Sequence, residues 1–140
     1  MERIPEFIGN HLFLVTLFIA VLALLIWNLF GEAFSGIVHL SPADATLLLN
    51  RKNAVMLDLR PAGEFESGHI INAVNLPEDK DGREKMIEKH KDRPLIACCQ
   101  SGAQSARAAR AMRLQGIEQV YCLKGGLAAW RSAGLPLTRE

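Results

Sequence analysis

The first long pattern in the chain is an uninterrupted apolar run. From Leu12 to Phe30 the residues read LFLVTLFIAVLALLIWNLF, with no charge and only two polar side chains, Thr16 and Asn28. As a helix this run would be about 28 Å long, close to the ~30 Å hydrocarbon core of a bilayer. No amphipathic stripe is visible along it, which disfavours a helix lying on a membrane surface. The pattern therefore predicts one transmembrane helix over about residues 7–30.

Two alternatives to a retained anchor are weighed. A buried core helix of this length would need more globular chain to cover it than the residues after position 36 provide. A cleavable signal peptide could use Ala33 and Ser35 as its small residues. However, the apolar run exceeds the usual h-region of about 7–15 residues, and the start of the chain carries no positive excess. The anchor is the favoured interpretation.

Beyond residue 36, apolar runs alternate with polar, helix-forming segments. Nearly continuous apolar runs, typical of buried parallel strands, predict strands at 54–59, 73–76, 95–99 and 118–123, with an edge strand at 37–40. Helices are predicted between them, at 42–50, 61–67, 82–91, 104–115 and 127–133. This alternation predicts the α/β class, a parallel sheet flanked by helices.

Composition separates the same two parts of the chain. Twenty-three of the first 36 residues are hydrophobic, against 49% of the whole 140-residue chain. We therefore expect an N-terminal segment, residues 1–36, and a soluble domain, residues 37–140. A net charge of +1 gives no broad basic field for nucleic acid, so no nucleic-acid partner is expected. Three cysteines are too few for a disulfide scaffold.

The loop after the third of the four longer strands carries the candidate chemistry. Residues 98–105, CCQSGAQS, join a buried strand directly to a helix, where open α/β sheets place their sites. The helix N-terminus and free loop N–H groups would favour a thiolate there. Gly102 permits a curl that points these N–H groups inward. Because side chains alternate along a strand, Cys98 and Cys99 cannot both face the loop. A pair of buried structural cysteines is the alternative.

Three stretches of the domain together resemble the rhodanese family of sulfurtransferases. Residues 99–109 match the active-site pattern of that family, Cys-x-x-Gly-x-x-Ser followed by a helix with Ala and Arg. Gly102 sets the register, so that Cys99 rather than Cys98 is the matching nucleophile. Residues 57–77 and 123–136 resemble the amino-terminal and carboxyl-terminal signatures of the family. With the apolar helix in front, the whole chain resembles a membrane-anchored, single-domain bacterial rhodanese.

The resemblance implies a rhodanese-like parallel sheet and a chemistry of sulfur transfer. A thiolate at Cys99 would take sulfane sulfur from a donor, become a persulfide and pass the sulfur to a thiol acceptor. The loop residues implied to bind substrate are Gln100, Ser101, Gly102, Ala103, Gln104 and Ser105. Asp58 and Arg60, at the end of an earlier strand, are implied to support the site as a polar clamp. No cofactor is implied, and no spacing of Cys or His predicts a metal site.

One departure from the family pattern leaves a second function open. Family members often carry Arg as the sixth loop residue, where this chain has the neutral Gln104. The change removes a positive charge suited to an anionic donor such as thiosulfate. The alternative is a non-catalytic module that recruits a membrane or sulfur-pathway partner. A phosphatase is disfavoured, because Cys-x5-Arg is needed to grip phosphate and Ser105 follows Cys99 by six positions.

The position of the domain relative to the membrane is inferred from the thiol. A free reactive cysteine persists better in a reducing compartment. We therefore expect a single-pass protein of the bacterial inner membrane whose domain faces the cytoplasm. Too few Lys and Arg residues lie near the helix for the positive-inside rule to decide. Membrane lipid and, in the recruiting alternative, a membrane protein are the expected partners besides the sulfur donor and acceptor.

Overall fold

The computed structural model describes residues 3–34 and 36–140 of the chain. The chain divides into two compact units, Met1–Gly36 and Ile37–Glu140. The first is helical and the second contains the sheet.

The first unit consists of α1 (Arg3–Asn10) and α2 (Leu12–Phe34). The sequence predicts one helix over about residues 7–30. The structure instead has two helices, which together extend from Arg3 to Phe34 and are separated by a turn at His11. Helical hydrogen bonding continues through this turn, from His11 N–H to the Phe7 carbonyl and from Val15 N–H to the His11 carbonyl. A 20-residue stretch of α2, Leu12–Gly31, is long and apolar enough to cross a membrane, and none of it is buried. A signal sequence would share this length and composition.

The second unit is built on a five-stranded parallel sheet. Its strands are β1 (Val38–Leu40), β2 (Val55–Asp58), β3 (Val74–Asn75), β4 (Leu95–Cys98) and β5 (Val120–Leu123). Their order across the sheet is β1-β5-β4-β2-β3. Every strand pair is parallel. The predicted α/β class with a rhodanese-like parallel sheet is confirmed.

Four helices connect these strands and a fifth follows β5. They are α3 (Pro42–Arg51), α4 (Ala62–Ser67), α5 (Lys80–His90), α6 (Ala103–Leu114) and α7 (Gly126–Ser132). Ser41 caps α3 by accepting the Asp44 N–H over 3.2 Å, as the Ser-Pro start predicts. The sequence predicts that α5 starts at Gly82. Asp79 instead caps the helix by accepting the Gly82 N–H over 2.7 Å, so α5 begins at Lys80.

Two hydrophobic layers cover the two faces of the sheet. One includes Ile87 of α5 together with Ala109 and Met112 of α6. The other includes Ala45 of α3, Leu127 and Trp130 of α7, and also Cys98. Within the sheet, Asp58 at the end of β2 pairs with Cys98 at the end of β4. The loops that follow these two neighbouring strands therefore meet at the carboxyl edge of the sheet, where α/β proteins place their sites.

Candidate active site

The loop between β4 and α6 curls around the sulfur of Cys99. Gly102, the N-cap of α6, has a left-handed φ of 98°, a conformation that favours glycine. In this conformation its backbone N–H donates to the Cys99 Sγ over 3.0 Å. The side chain of Cys99 thus lies at the start of α6, where partial positive charge favours an anion.

Hydrogen bonds around Cys99 favour its thiolate. Burial works against the charged form, but the Ser105 hydroxyl and the N–H groups of Ser105, Gly102 and Ser101 outweigh it, so the pKa of the Cys99 thiol is lowered. The Ser105 Oγ lies 3.5 Å from the Cys99 Sγ and 2.9 Å from the Gly102 carbonyl oxygen. A thiol with a lowered pKa is a better nucleophile near neutral pH because more of it is ionised.

Cys98 occupies the opposite environment. It is the last residue of β4, fully buried in the layer formed by α3 and α7. Burial and the nearby Asp58 carboxylate raise the pKa of the Cys98 thiol well above its ordinary value. Adjacent cysteines in the chain therefore differ sharply in chemistry, and the geometry favours Cys99 as the nucleophile.

Hydrogen bonds from the start of α7 fix the backbone of the loop between β4 and α6. The N–H groups of Leu127 and Ala128 donate to the carbonyl oxygens of Cys99 (2.9 Å) and Gln100 (3.1 Å). A β-carbon on Gly126 would overlap the Cys99 carbonyl oxygen and lie 2.8 Å from that of Gln100. With the carbonyls turned toward α7, the N–H groups of the loop are left to face the sulfur. The sequence analysis did not predict this close approach of Gly126 to the Cys99 loop. The Gly125-Gly126 pair in the carboxyl-terminal signature was the available sign of it.

Cys122, on β5, contacts Ser105 from within the sheet. Its Sγ lies 3.2 Å from the Ser105 Oγ, and either atom can be the donor. Both residues are fully buried. The sequence spacing gives no sign of this contact, because the two residues come from different elements that meet only in the folded sheet.

Asp58 and Arg60 form a buried ion pair at the adjacent loop. The Arg60 Nη2 lies 2.9 Å from the Asp58 Oδ2 and also donates to the Gly68 carbonyl over 2.7 Å. The Arg60 N–H donates to the Asp58 Oδ1 over 2.9 Å. Asn75 on β3 donates to the carbonyls of both residues. The arrangement fits the clamp that the resemblance implies, since the guanidinium is occupied by protein oxygens.

A cavity of about 370 Å³ opens above Cys99. It is lined by Arg60, Pro61, Glu64, Cys99, Gln100, Ser101 and Gln104. The structure therefore brings most of the predicted loop residues together. Gln100, Ser101 and Gln104 line the cavity, whereas Gly102 and Ser105 contact the sulfur. Ala103, the exposed first residue of α6, neither lines the cavity nor contacts the sulfur in a hydrogen bond.

Comparison with known proteins identifies the family of this chain. The model of the rhodanese-like domain family matches residues 41–133, so this chain belongs to the rhodanese-like family. The chain is 37% identical over 141 residues to the uncharacterized protein YibN of Escherichia coli (strain K12), covering 99% of both chains. It is 35% identical over 95 residues to the thiosulfate sulfurtransferase GlpE of Pseudoalteromonas translucida, covering 68% of this chain and 90% of that relative.

A solved structure shows the same fold. The crystal structure of a rhodanese-related protein from Thermoplasma volcanium superposes with a TM-score of 0.62 at 29% identity, covering 74% of this chain and 99% of that protein. Within the described part of this chain, no group of three or more His, Cys, Asp or Glu side chains could hold a metal ion. The residues at the site instead provide an activated thiol in a cradle of N–H donors.

Proposed function

We propose that this protein is a membrane-anchored sulfurtransferase that carries sulfane sulfur as a persulfide on Cys99. The observation that carries the proposal is the donation of the Gly102 N–H to the Cys99 sulfur, beside the Ser105 hydroxyl. These donors stabilise an anion on sulfur, both in the free thiolate and in the persulfide that forms from it.

The transfer takes two balanced steps. In the first, the Cys99 thiolate attacks the outer sulfur of the donor. The donor's S–S bond breaks, its electron pair leaves with the remaining group, and a new S–S bond forms on Cys99. In the second, an acceptor thiolate attacks the outer sulfur of the persulfide and Cys99 leaves as a thiolate. No outside oxidant or reductant is needed.

The supporting residues keep the cavity in shape. The Asp58–Arg60 pair fixes the loop after β2, and Arg60 and Pro61 of this loop line the cavity. Gln100, Ser101 and Gln104 also line the cavity. In this proposal they contact the donor while the backbone of the loop binds the charge.

The apolar helix α2 supports a membrane location. Its length and composition suit a single span, with lipid around its exposed apolar side chains. We place the domain on the cytoplasmic side of the bacterial inner membrane, where a reactive thiol is kept reduced. In this arrangement, we expect a membrane protein that supplies or accepts sulfur as a partner.

One observation favours the second function, a non-catalytic module that recruits a partner. Gln104 is exposed at the cavity and brings no charge to it. A module of this kind would keep the fold and the cavity but would not accumulate a persulfide on Cys99. The two functions are therefore separated by a single measurement.

The test is sulfur loading of the full chain in detergent. The reduced protein is incubated with a sulfane-sulfur donor, and intact-mass spectrometry measures the gain of one sulfur atom. We expect the gain in wild type and in Cys98→Ser, and its loss in Cys99→Ser. Loading that survives Cys99→Ser but not Cys98→Ser would overturn the assignment of the nucleophile. No loading of folded wild type from any of several donors would favour the recruiting module.

A further inference from the structure

A cavity of about 530 Å³ lies at the amino edge of the sheet, away from Cys99. Its lining includes Val55 and Val74, which begin β2 and β3, whereas Asp58 and Cys98 end β2 and β4. A strand of this length spans about 10 Å, so the two sites lie at opposite edges of the same sheet. The residues that line the Cys99 cavity do not line this one. We call it the amino-edge cavity, and sulfur transfer at Cys99 gives it no role.

Apolar side chains form much of the amino-edge cavity. They come from α3, from the loop before β3, and from α7 and the residues after it: Leu49, Ile70, Ile71, Trp130, Leu135 and Pro136. The Trp130 indole N–H donates to the Pro136 carbonyl over 3.1 Å, which satisfies the one polar group of the indole and leaves its ring as an apolar surface. The Ile71 side chain is 54% exposed. A ligand with an apolar body would cover it and gain the free energy of that burial.

The permanent charge in this lining belongs to Arg93, which is half-buried. Its Nε donates to the Asn53 carbonyl over 2.7 Å, and its Nη2 donates to the Asn53 Oδ1 over 3.0 Å. These bonds orient the guanidinium without neutralising it, and both ion pairs in the described part of the chain lie elsewhere. The other N–H groups, at the end of the guanidinium, can bind both oxygens of one carboxylate.

His90 adds no second charge to the cavity near neutral pH. Burial and the nearby cations Lys89 and Arg93 lower the pKa of its imidazole, so the neutral form prevails. The other polar side chains of the lining are neutral donors and acceptors: Thr46, Asn50, Asn53 and Asn72. One cation among neutral groups matches the single charge of a carboxylate better than the nearly double charge of a phosphate monoester.

Two unusual backbone conformations occur at the same cavity. Asn53 (φ 55°) and Asn72 (φ 62°) are the non-glycine residues of the described chain that have a positive φ, and both line the cavity. This left-handed region is uncommon outside glycine, and residues held in it cluster at ligand sites. In this conformation Asn53 presents both its carbonyl and its side-chain oxygen to Arg93, so the unusual backbone helps to orient the one cation.

The geometry points to a second ligand site, which binds a small monocarboxylate with an apolar body, an aryl- or alkyl-carboxylic acid. The carboxylate lies at Arg93, and the apolar body lies against Ile71, Trp130 and Leu135. The volume of the cavity falls within the range of small-molecule sites, about 300–1,000 Å³. This inference goes beyond the proposed sulfur transfer and does not depend on it.

The test measures binding of 4-phenylbutyrate to the full chain in detergent through the fluorescence of Trp130. Trp27→Phe removes the other tryptophan of the chain, so the signal comes from the cavity. 4-Phenylbutanamide has the same body and no charge. We expect saturable binding of 4-phenylbutyrate and about tenfold weaker binding of the amide, as for loss of one charge-assisted hydrogen bond. In the same background, Arg93→Gln should lower the affinity for 4-phenylbutyrate to that of the amide and leave the amide unchanged.

The matched control is Arg51→Gln. Arg51 is exposed at the end of α3, beside Asn50, but does not line the cavity, so its loss should leave both affinities unchanged. Asn50→Asp is a second variant, which decides the question if loss of the bonds to Asn53 unfolds Arg93→Gln. It adds a carboxylate to the lining and should weaken binding of the acid but not of the amide.

Three results would overturn the inference. They are no saturable binding of 4-phenylbutyrate to the folded chain, equal affinities for the acid and the amide, and a loss in Arg51→Gln as large as that in Arg93→Gln. The last result would mean that the acid responds to positive charge in general rather than to the oriented guanidinium. Sulfur transfer at Cys99 would stand in each case.

Discussion

The Sγ of Cys122 lies 3.2 Å from the Oγ of Ser105, the residue that also contacts the Cys99 sulfur. The Ser105 hydroxyl has one hydrogen and several neighbours that can accept it, among them the Gly102 carbonyl and the Cys99 sulfur. We expect the Cys122 thiol to be the donor, because this satisfies the Ser105 oxygen and leaves the hydroxyl hydrogen for the Gly102 carbonyl or the Cys99 sulfur. In this arrangement Cys122 acts on Cys99 through Ser105.

Ser105→Ala should raise the pKa of the Cys99 thiol. The hydroxyl stabilises the thiolate, and a hydrogen bond to a charged group is worth about 1.5–3 kcal/mol, so its loss should move the pKa back toward the ordinary value of a thiol. The pH dependence of Cys99 alkylation by iodoacetamide, followed by mass spectrometry, measures the pKa because only the thiolate reacts. Ser132→Ala, an exposed hydroxyl on α7, is the control. An unchanged alkylation profile in Ser105→Ala would contradict the assigned role.

Cys122→Ala should shift the same pKa upward by less, because it removes a donor to Ser105 rather than to Cys99 itself. Cys122→Ser should restore the wild-type value, since a hydroxyl can donate in place of the thiol. The alkylation profile again provides the measurement. If Cys122→Ser behaved like Cys122→Ala, the contact would be packing alone and the hydrogen bond would have no effect on the nucleophile.

Gly126→Ala should disrupt the loop around Cys99. Its φ of 59° is costly for alanine, typically about 1–3 kcal/mol, and the added carbon would overlap the Cys99 carbonyl oxygen. We expect a lower melting temperature and loss of most persulfide formation, read by intact mass. Gly63→Ala on α4 is the control, since nothing lies within 4 Å of its added carbon. Full sulfur loading in Gly126→Ala would show that the contact with α7 is dispensable.

Arg60→Ala should destabilise the domain strongly. It leaves the Asp58 carboxylate buried without its partner and removes the bond to the Gly68 carbonyl. Breaking a buried pair in this way costs about 3–5 kcal/mol of unfolding free energy. Chemical denaturation followed by circular dichroism measures the loss. Lys91→Ala, which removes the exposed Glu88–Lys91 pair, should leave the denaturation midpoint unchanged; a similar loss in both variants would contradict the argument from burial.

The proposed topology predicts opposite accessibility at the two ends of the chain. Glu6→Cys on α1 should react with a membrane-impermeant maleimide in intact cells from which the outer membrane barrier has been removed. Glu140→Cys, beyond the sheet, should react only after lysis. Both positions are exposed in the structure, so labelling reports on the membrane rather than on the fold. The reverse labelling pattern would place the domain on the outer side.

Sequence reasoning succeeded where the determining signals are local. The alternation of apolar runs defines the sheet, and the spacing from Cys99 to Gly102 defines the register of the loop. The contact of Gly126 with the Cys99 carbonyl is different, because it joins residues 27 positions apart and depends on β5 lying beside β4. Similarly, Arg83 and Arg107 line one cavity only because α5 and α6 pack on the same face of the sheet. Such contacts follow from the order of strands, which local pattern does not reveal.

The hydrogen bonds from α7 to the Cys99 loop have a consequence for the synthesis of the protein. The ribosome produces α1 and α2 first, and it produces Leu127 and Ala128, which contact the Cys99 and Gln100 carbonyls, near the end. A nascent chain that stops before Leu127 already contains Cys99, yet it lacks the two N–H groups that turn the loop into its reactive shape. We therefore expect the pKa of the Cys99 thiol to fall only when the fold is complete, so that an unfinished chain keeps a cysteine with ordinary reactivity.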